Sequence, residues 1–185
     1  MTNPDPVFLA RRANYGQDYE RTIKPTLELY RDQVGFGVEY GKITLSYLFL
    51  SNAGGLAGML AIAPLVRDLN QLWLMQSLWI AIAFGVGILF AAITAGASYA
   101  NFTANARIYH TMAADKDNWL GAWHFGLHQQ TTQDFSRINQ DYVRRASEWS
   151  IRTTKIAVIC GIISGLCSAI GGIALAWSLA QTSIQ

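Results

Sequence analysis

At 185 residues the chain is long enough for one domain, but 51% of it is hydrophobic, only 14% is charged and the formal net charge is +2. The charge is also segregated: residues 43–66, 69–106 and 156–185 hold no Lys, Arg, Asp or Glu. That excludes a soluble fold in which every helix keeps a polar face. Acids and bases alternate in the remaining segments, so there is no phosphate track and no nucleic-acid partner is expected.

Residues 1–42 read as a cytoplasmic N-terminal helical segment. They carry twelve charges before anything apolar begins, so no cleavable signal peptide is predicted and the first span serves as the insertion signal. Asn3-Pro4-Asp5-Pro6 opens it as a turn, a short helix follows from Phe8 to Ile23, and Pro25 ends or kinks it. Beyond Pro25, Leu27, Tyr30, Val34 and Val38 keep helical spacing and lead straight into the first span.

Transmembrane helix 1 is predicted over 43–66, a short external loop over 67–71 and transmembrane helix 2 over 72–100, since about 20 apolar residues cross a bilayer. The helical pattern of span two continues through Phe102, Ile108, Tyr109 and Met112 to Asp115-Lys116-Asp117-Asn118. That tetrad is predicted to be a turn, with Asp117 or Asn118 capping a new helix and Gly121 and Gly126 as further break points. Phe135, Ile138, Tyr142, Trp149 and Arg152 then share one face of a helix running into span three. Residues 101–155 thus form a cytoplasmic helical hairpin, 156–180 transmembrane helix 3 and 181–185 an external tail. The expected fold class is an all-α membrane protein with three transmembrane helices, an N-terminal cytoplasmic helix and that hairpin extension.

Thirteen of the fourteen Lys and Arg residues precede span one or lie between spans two and three, and only Arg67 lies in the loop after span one. Basic flanks are retained in the cytoplasm, which places the N-terminus inside and the C-terminus outside. Trp73, Trp79 and Trp177 towards outer ends and Trp149 towards an inner end agree with an interfacial belt.

Gly54 with Gly58, and Gly161, Gly165, Ser168 and Gly172, give small-xxx-small stripes in spans one and three, and Asn52 needs a hydrogen-bond partner in hydrocarbon. These seven are the expected helix-packing residues, within one chain and between copies in a homo-oligomer. Trp119, Trp123, Phe125, Phe135 and Trp149 are candidates for docking another membrane-associated protein, because exposed aromatic rows need covering. Arg144, Arg145, Arg152 and Lys155 are placed to meet lipid headgroups. His124 and His128 share a helix face at the i, i+4 spacing of a zinc motif, but two ligands do not make a site, so no metal and no cofactor are expected. Cys160 and Cys167, seven apart on one helix, cannot pair without unwinding it.

No nucleophile elbow, phosphate-binding glycine loop or HExxH motif occurs, and Asp115, Asp117, Asp134, Asp141 and Glu148 suit a solvated surface, so no enzyme is expected. The spans hold no ionisable residue, which argues against an ion-coupled transporter. The runs LFLSNAGGLAGMLAI and FGVGILFAAITAGASYANF resemble a broad group of small uncharacterised bacterial inner-membrane proteins that have an Asn-Gly-Gly-like step in one span. Here Asn52-Ala53-Gly54-Gly55 departs from that step by an inserted Ala. The resemblance implies a bacterial plasma-membrane protein and no activity. Two functions fit: a non-enzymatic assembly, scaffold or accessory subunit, and a homo-oligomeric channel or pore-forming effector lined by Ser46, Asn52, Ser164 and Ser168, with a holin as a minor variant.

Overall fold

The computed structural model describes residues 5–66, 72–126 and 129–182, with side chains described over 5–64, 76–126 and 131–181. The loop 67–71 with Arg67, the Trp73 side chain, His128 and residues 183–185 of the tail lie outside the described residues. Four α-helices make up the rest: α1 (Pro6–Thr22), α2 (Lys24–Val66), α3 (Leu72–Phe125) and α4 (Gln129–Thr182). No strand occurs among the described residues. Three helical runs, Pro6–Pro64, Gln76–Phe125 and Thr131–Gln181, are long and apolar enough to cross a membrane, as in a multi-pass membrane protein. The first of these includes the joint between α1 and α2.

Local chemistry sets the helix ends. Asp5 caps α1 by accepting from the Val7 amide at 2.9 Å, with Pro6 in the first turn where its missing N–H costs nothing. Pro25 has no N–H to offer the Arg21 carbonyl, and α1 ends three residues before it. At this joint the Thr22 carbonyl accepts from the Thr26 hydroxyl at 3.2 Å and from the Lys116 ammonium at 3.5 Å, a cation at a helix C-terminus. Gly126 closes α3 at φ +70°, and its N–H bonds back to the Ala122 carbonyl at 3.0 Å.

The turn expected at Asp115-Lys116-Asp117-Asn118 does not form, and neither does a break at Gly121: α3 runs through both to Phe125. The charged side chains of that tetrad face other helices instead. Asp115 accepts from Ser136 at 3.2 Å and Asn139 at 3.4 Å, Lys116 donates to Thr26 at 3.0 Å, and Asp117 accepts from the Tyr15 hydroxyl. A polar cluster that is satisfied by tertiary partners has no need of a turn.

The chain divides into two compact units. Unit 1 is Met1–Gly37 with Ala100–Arg152, and unit 2 is Val38–Tyr99 with Thr153–Gln185. In unit 1, α1 and the start of α2 pack antiparallel to the end of α3, as the Tyr30–His110 edge contact at 5.9 Å and the Phe102 ring against Gly37 show. The start of α4 lies along the same part of α3. In unit 2, parts of α2, α3 and α4 meet around Phe84, with Met59 and Ile80 completing the buried cluster.

Candidate functional site

Unit 2 is held by a two-layer node. In the first layer the Phe84 ring of α3 is wedged between Gly55 of α2 and Gly171 of α4, where an added Cβ would overlap the ring at Gly55 and come within 2.9 Å of it at Gly171. In the second, Asn52 and Ser164 have no exposed surface. The Asn52 amide nitrogen donates to its own helix at Leu48 O (2.8 Å) and across to Ser164 Oγ (3.1 Å), while Ser164 Oγ donates to Gly87 O (2.8 Å). Three helices are thereby tied by one hydroxyl and one amide, in the way hydrocarbon favours. Asn52 Oδ1 is the one buried side-chain polar atom without a hydrogen-bond partner among the described residues, and it lies on the Gly87 backbone where no Cβ fits. At that position the Gly87 Cα–H is what it can meet.

The glycines expected to pack are mostly on other faces. A Cβ at Gly54, Gly58, Gly165 or Gly172 meets nothing within 4 Å, and one at Gly161 meets only Thr94 at 3.6 Å; Ser168 is half-buried. Within one chain Gly55, Gly87 and Gly171 make the close approaches of unit 2, and the faces of Gly54, Gly58, Gly165 and Gly172, expected also to meet another copy, stay open. Only Asn52 of the seven sits in the node. Because Asn52 and Ser164 are fully buried within one chain, neither has surface left to line a path, and Ser46 is turned back on its own Lys42 carbonyl at 2.6 Å. A shallow cleft between α2 and α3, with room for about 10 Å³, runs over Gly41, Thr44, Leu48, Ala91 and Ala95 and gathers no titratable group but Tyr40.

Unit 1 is built differently. Along α4, Thr132, Ser136, Asn139, Val143, Ala146 and Ser150 follow alternating steps of four and three, and each is buried or half-buried. This is the seven-residue period of helix-on-helix packing, here filled by small and polar side chains. Ser150 donates to Asn101 and Asn105 of α3, and Ser136 to Asp115. About 90° round from this stripe, one flank of α4 carries Phe135, Ile138, Tyr142 and Trp149, exposed by 53, 64, 39 and 56%, while the exposed charges Asp134, Arg137, Asp141, Arg145 and Glu148 lie opposite it. The apolar residues thus sit on an exposed flank between the buried stripe and the charged face.

The other docking candidates are exposed too but do not form one patch. Trp119 and Trp123, four residues apart, share a face of α3, and Trp123 is 84% exposed. Phe125 lies about 200° round the helix from Trp123 and is packed by Tyr15 at 5.4 Å and Phe8 at 6.4 Å. Arg144, Arg145, Arg152 and Lys155 are all exposed, with Arg144 paired to Asp141 at 3.3 Å.

His124 is buried and faces α1, its Nε2 3.0 Å from Asp18 Oδ2 and its ring edge-on to Tyr15 at 6.0 Å. Tyr15 donates to Asp117, and that hydrogen bond, reinforced by partial burial and the nearby negative charge, pushes its pKa up to about 12. Among the described residues no three His, Cys, Asp or Glu side chains converge as metal ligands would. Cys160 is buried, Cys167 half-buried, and both are free thiols.

Comparison of the chain with family models, with curated proteins and with solved structures finds no match.

Proposed function

We propose that the protein is a non-enzymatic scaffold or accessory subunit of a bacterial inner membrane, inserted with its N-terminus inside and unit 1 on the cytoplasmic side. Unit 1 recruits a protein partner through the aromatic face of α4. The observation that carries this reading is the exposed apolar flank of α4 in unit 1: small polar residues are buried, and Phe135, Ile138 and Trp149 stay exposed beside the charged face. In unit 2 lipid accounts for outward apolar residues. In unit 1 the same helix is interspersed with Arg137, Asp141, Arg144, Arg145 and Glu148, which keep it in water, and an aromatic row there calls for a protein cover. The flanking arginines give such an interface a polar rim.

The test is a photo-crosslinking residue placed at Ile138 or Tyr142 in the full chain in its native membrane. A discrete heavier adduct at both positions, absent when the same residue replaces lipid-facing Leu60, is the expected result. Correctly inserted protein with no adduct at either position would remove the reading.

A homo-oligomeric channel or pore-forming effector is the second reading. It is favoured by the open space in front of Gly54, Gly58, Gly165 and Gly172, where the helix of another copy could approach. Its lining would have to come from residues other than Asn52 and Ser164.

A further inference from the structure

Helix α1 has 17 residues and buries none of them. A helix packed permanently on a bundle puts an apolar stripe inside; α1 instead leaves Val7, Phe8 and Leu9 exposed by 56, 49 and 47%. What holds it to α3 is a short row of contacts on one side: Tyr15 to Asp117, Asp18 to His124, and the rings of Phe8 and Tyr15 on Phe125. Segments with few buried apolar contacts are the first to open in a folded protein.

The joint behind α1 is built to stay in place when α1 leaves. Ile23, at 2% exposure, anchors it in unit 1. Pro25 removes the hydrogen bond that would stiffen the crossing, and Lys116 with Thr26 holds the Thr22 carbonyl from the α3 side.

We propose that α1 is a releasable strap: pivoting at Ile23, it covers the Phe125 and His124 side of α3 when closed and uncovers it when open, so that the chain regulates its own docking surface. The regulatory half rests on the docking reading above; the strap does not. Closed, α1 uses Phe125 as its seat. Open, it adds Phe125 to the apolar surface of unit 1, and it frees Asp117 and His124 to pair with a partner's donors and acceptors. A partner that binds only the open form draws the equilibrium towards it by its difference in affinity.

The experiment uses the full chain in lipid nanodiscs with Cys160→Ala and Cys167→Ala, spin labels at Ala13→Cys and Ala114→Cys, and pulsed electron-electron resonance distances. The expected result is two distances, with the longer one several-fold more populated in the double variant Tyr15→Phe, Asp18→Asn. Photo-crosslinking at Asn118, seven residues before Phe125 on the same face of α3 and exposed, is run in parallel and is expected to rise in that variant. One short distance in both proteins overturns the strap. A longer distance in the variant with unchanged crosslinking keeps the strap and overturns its regulatory role. No crosslink at Asn118, Ile138 or Tyr142 in either protein overturns the docking reading with it, while the distances still decide the strap.

Discussion

The two units place small residues inwards and large apolar ones outwards along the same helix, yet they are stabilised in different ways. In unit 2 the interior positions of α4 are Cys160, Ser164, Gly171 and Ser178, and the outer ones include Ile162, Ile170, Ile173 and Trp177. In unit 1 the interior is Thr132, Ser136, Asn139 and Ser150 and the exterior Phe135, Ile138 and Trp149. Unit 2 depends on shape, with glycines that admit a ring and an amide, and unit 1 on directed hydrogen bonds to Asp115, Asn101 and Asn105. The comparison shows that heptad position, rather than hydropathy, decides which side chains are buried on α4. The exterior then has to be matched to whatever surrounds it.

If unit 2 depends on shape, the largest effect of any single change falls on its close approaches. Gly87→Ala, which puts a Cβ into Asn52 Oδ1, is expected to cost about 3 kcal/mol and to lower the melting temperature in detergent sharply, as read by size-exclusion chromatography of heated samples. Retention of wild-type behaviour would mean that the node yields. Phe84→Ala has an effect of the same size, at about 3 kcal/mol, since it empties the seat between Gly55 and Gly171.

The aromatic face of unit 1 should behave in the opposite sense. Phe135→Ala and Ile138→Ala are expected to change stability by no more than about 0.5 kcal/mol while removing the crosslinked adduct; a loss of stability comparable with Phe84→Ala would make that face structural.

A spectroscopic effect follows. Tyr15 is held neutral by donating to Asp117, so its contribution to stability is fully present below the unfolded pKa near 10 and is lost as pH rises through about 12. Phenolate absorbance should show this tyrosine ionising late, and Asp117→Asn should return it towards 10. The smallest effect is at the open glycines: Gly54→Ala and Gly165→Ala meet no neighbour and are expected to stabilise by up to about 1 kcal/mol through helix propensity. Destabilisation, or a change in copy number by native mass spectrometry, would place a second chain against them.

Much of the helical framework was legible because it depends on local chemistry. The charge-free windows mark the apolar runs, Pro25 the joint behind α1, and Gly126 the end of α3. The contacts were not legible, because a spacing names a face without naming its partner. Gly54 and Gly55 are adjacent in sequence and differ by about 100° on the helix, and only the position of Phe84 distinguishes them. The Asp115–Asn118 tetrad carries every signal of a turn, while what satisfies it lies at Tyr15, Thr26, Ser136 and Asn139. One signal was available and would have helped: the unbroken four-three stepping of small residues from Thr132 to Ser150 marks the inner face of α4, and with it the outward direction of Phe135 and Trp149.

Synthesis adds an order in time to the Asn52 knot. Ser164 is made 112 residues after Asn52, so the amide must spend that interval without its interhelical partner. Its bond to Leu48 O, four residues back on the same helix, is already available when α2 first forms and shelters half of the amide throughout. The hydroxyl that bridges to Gly87 arrives with the last helix. A nascent chain halted before that point has Phe84 beside Gly55 but lacks the hydroxyl bridge, so the knot closes only once α4 is made.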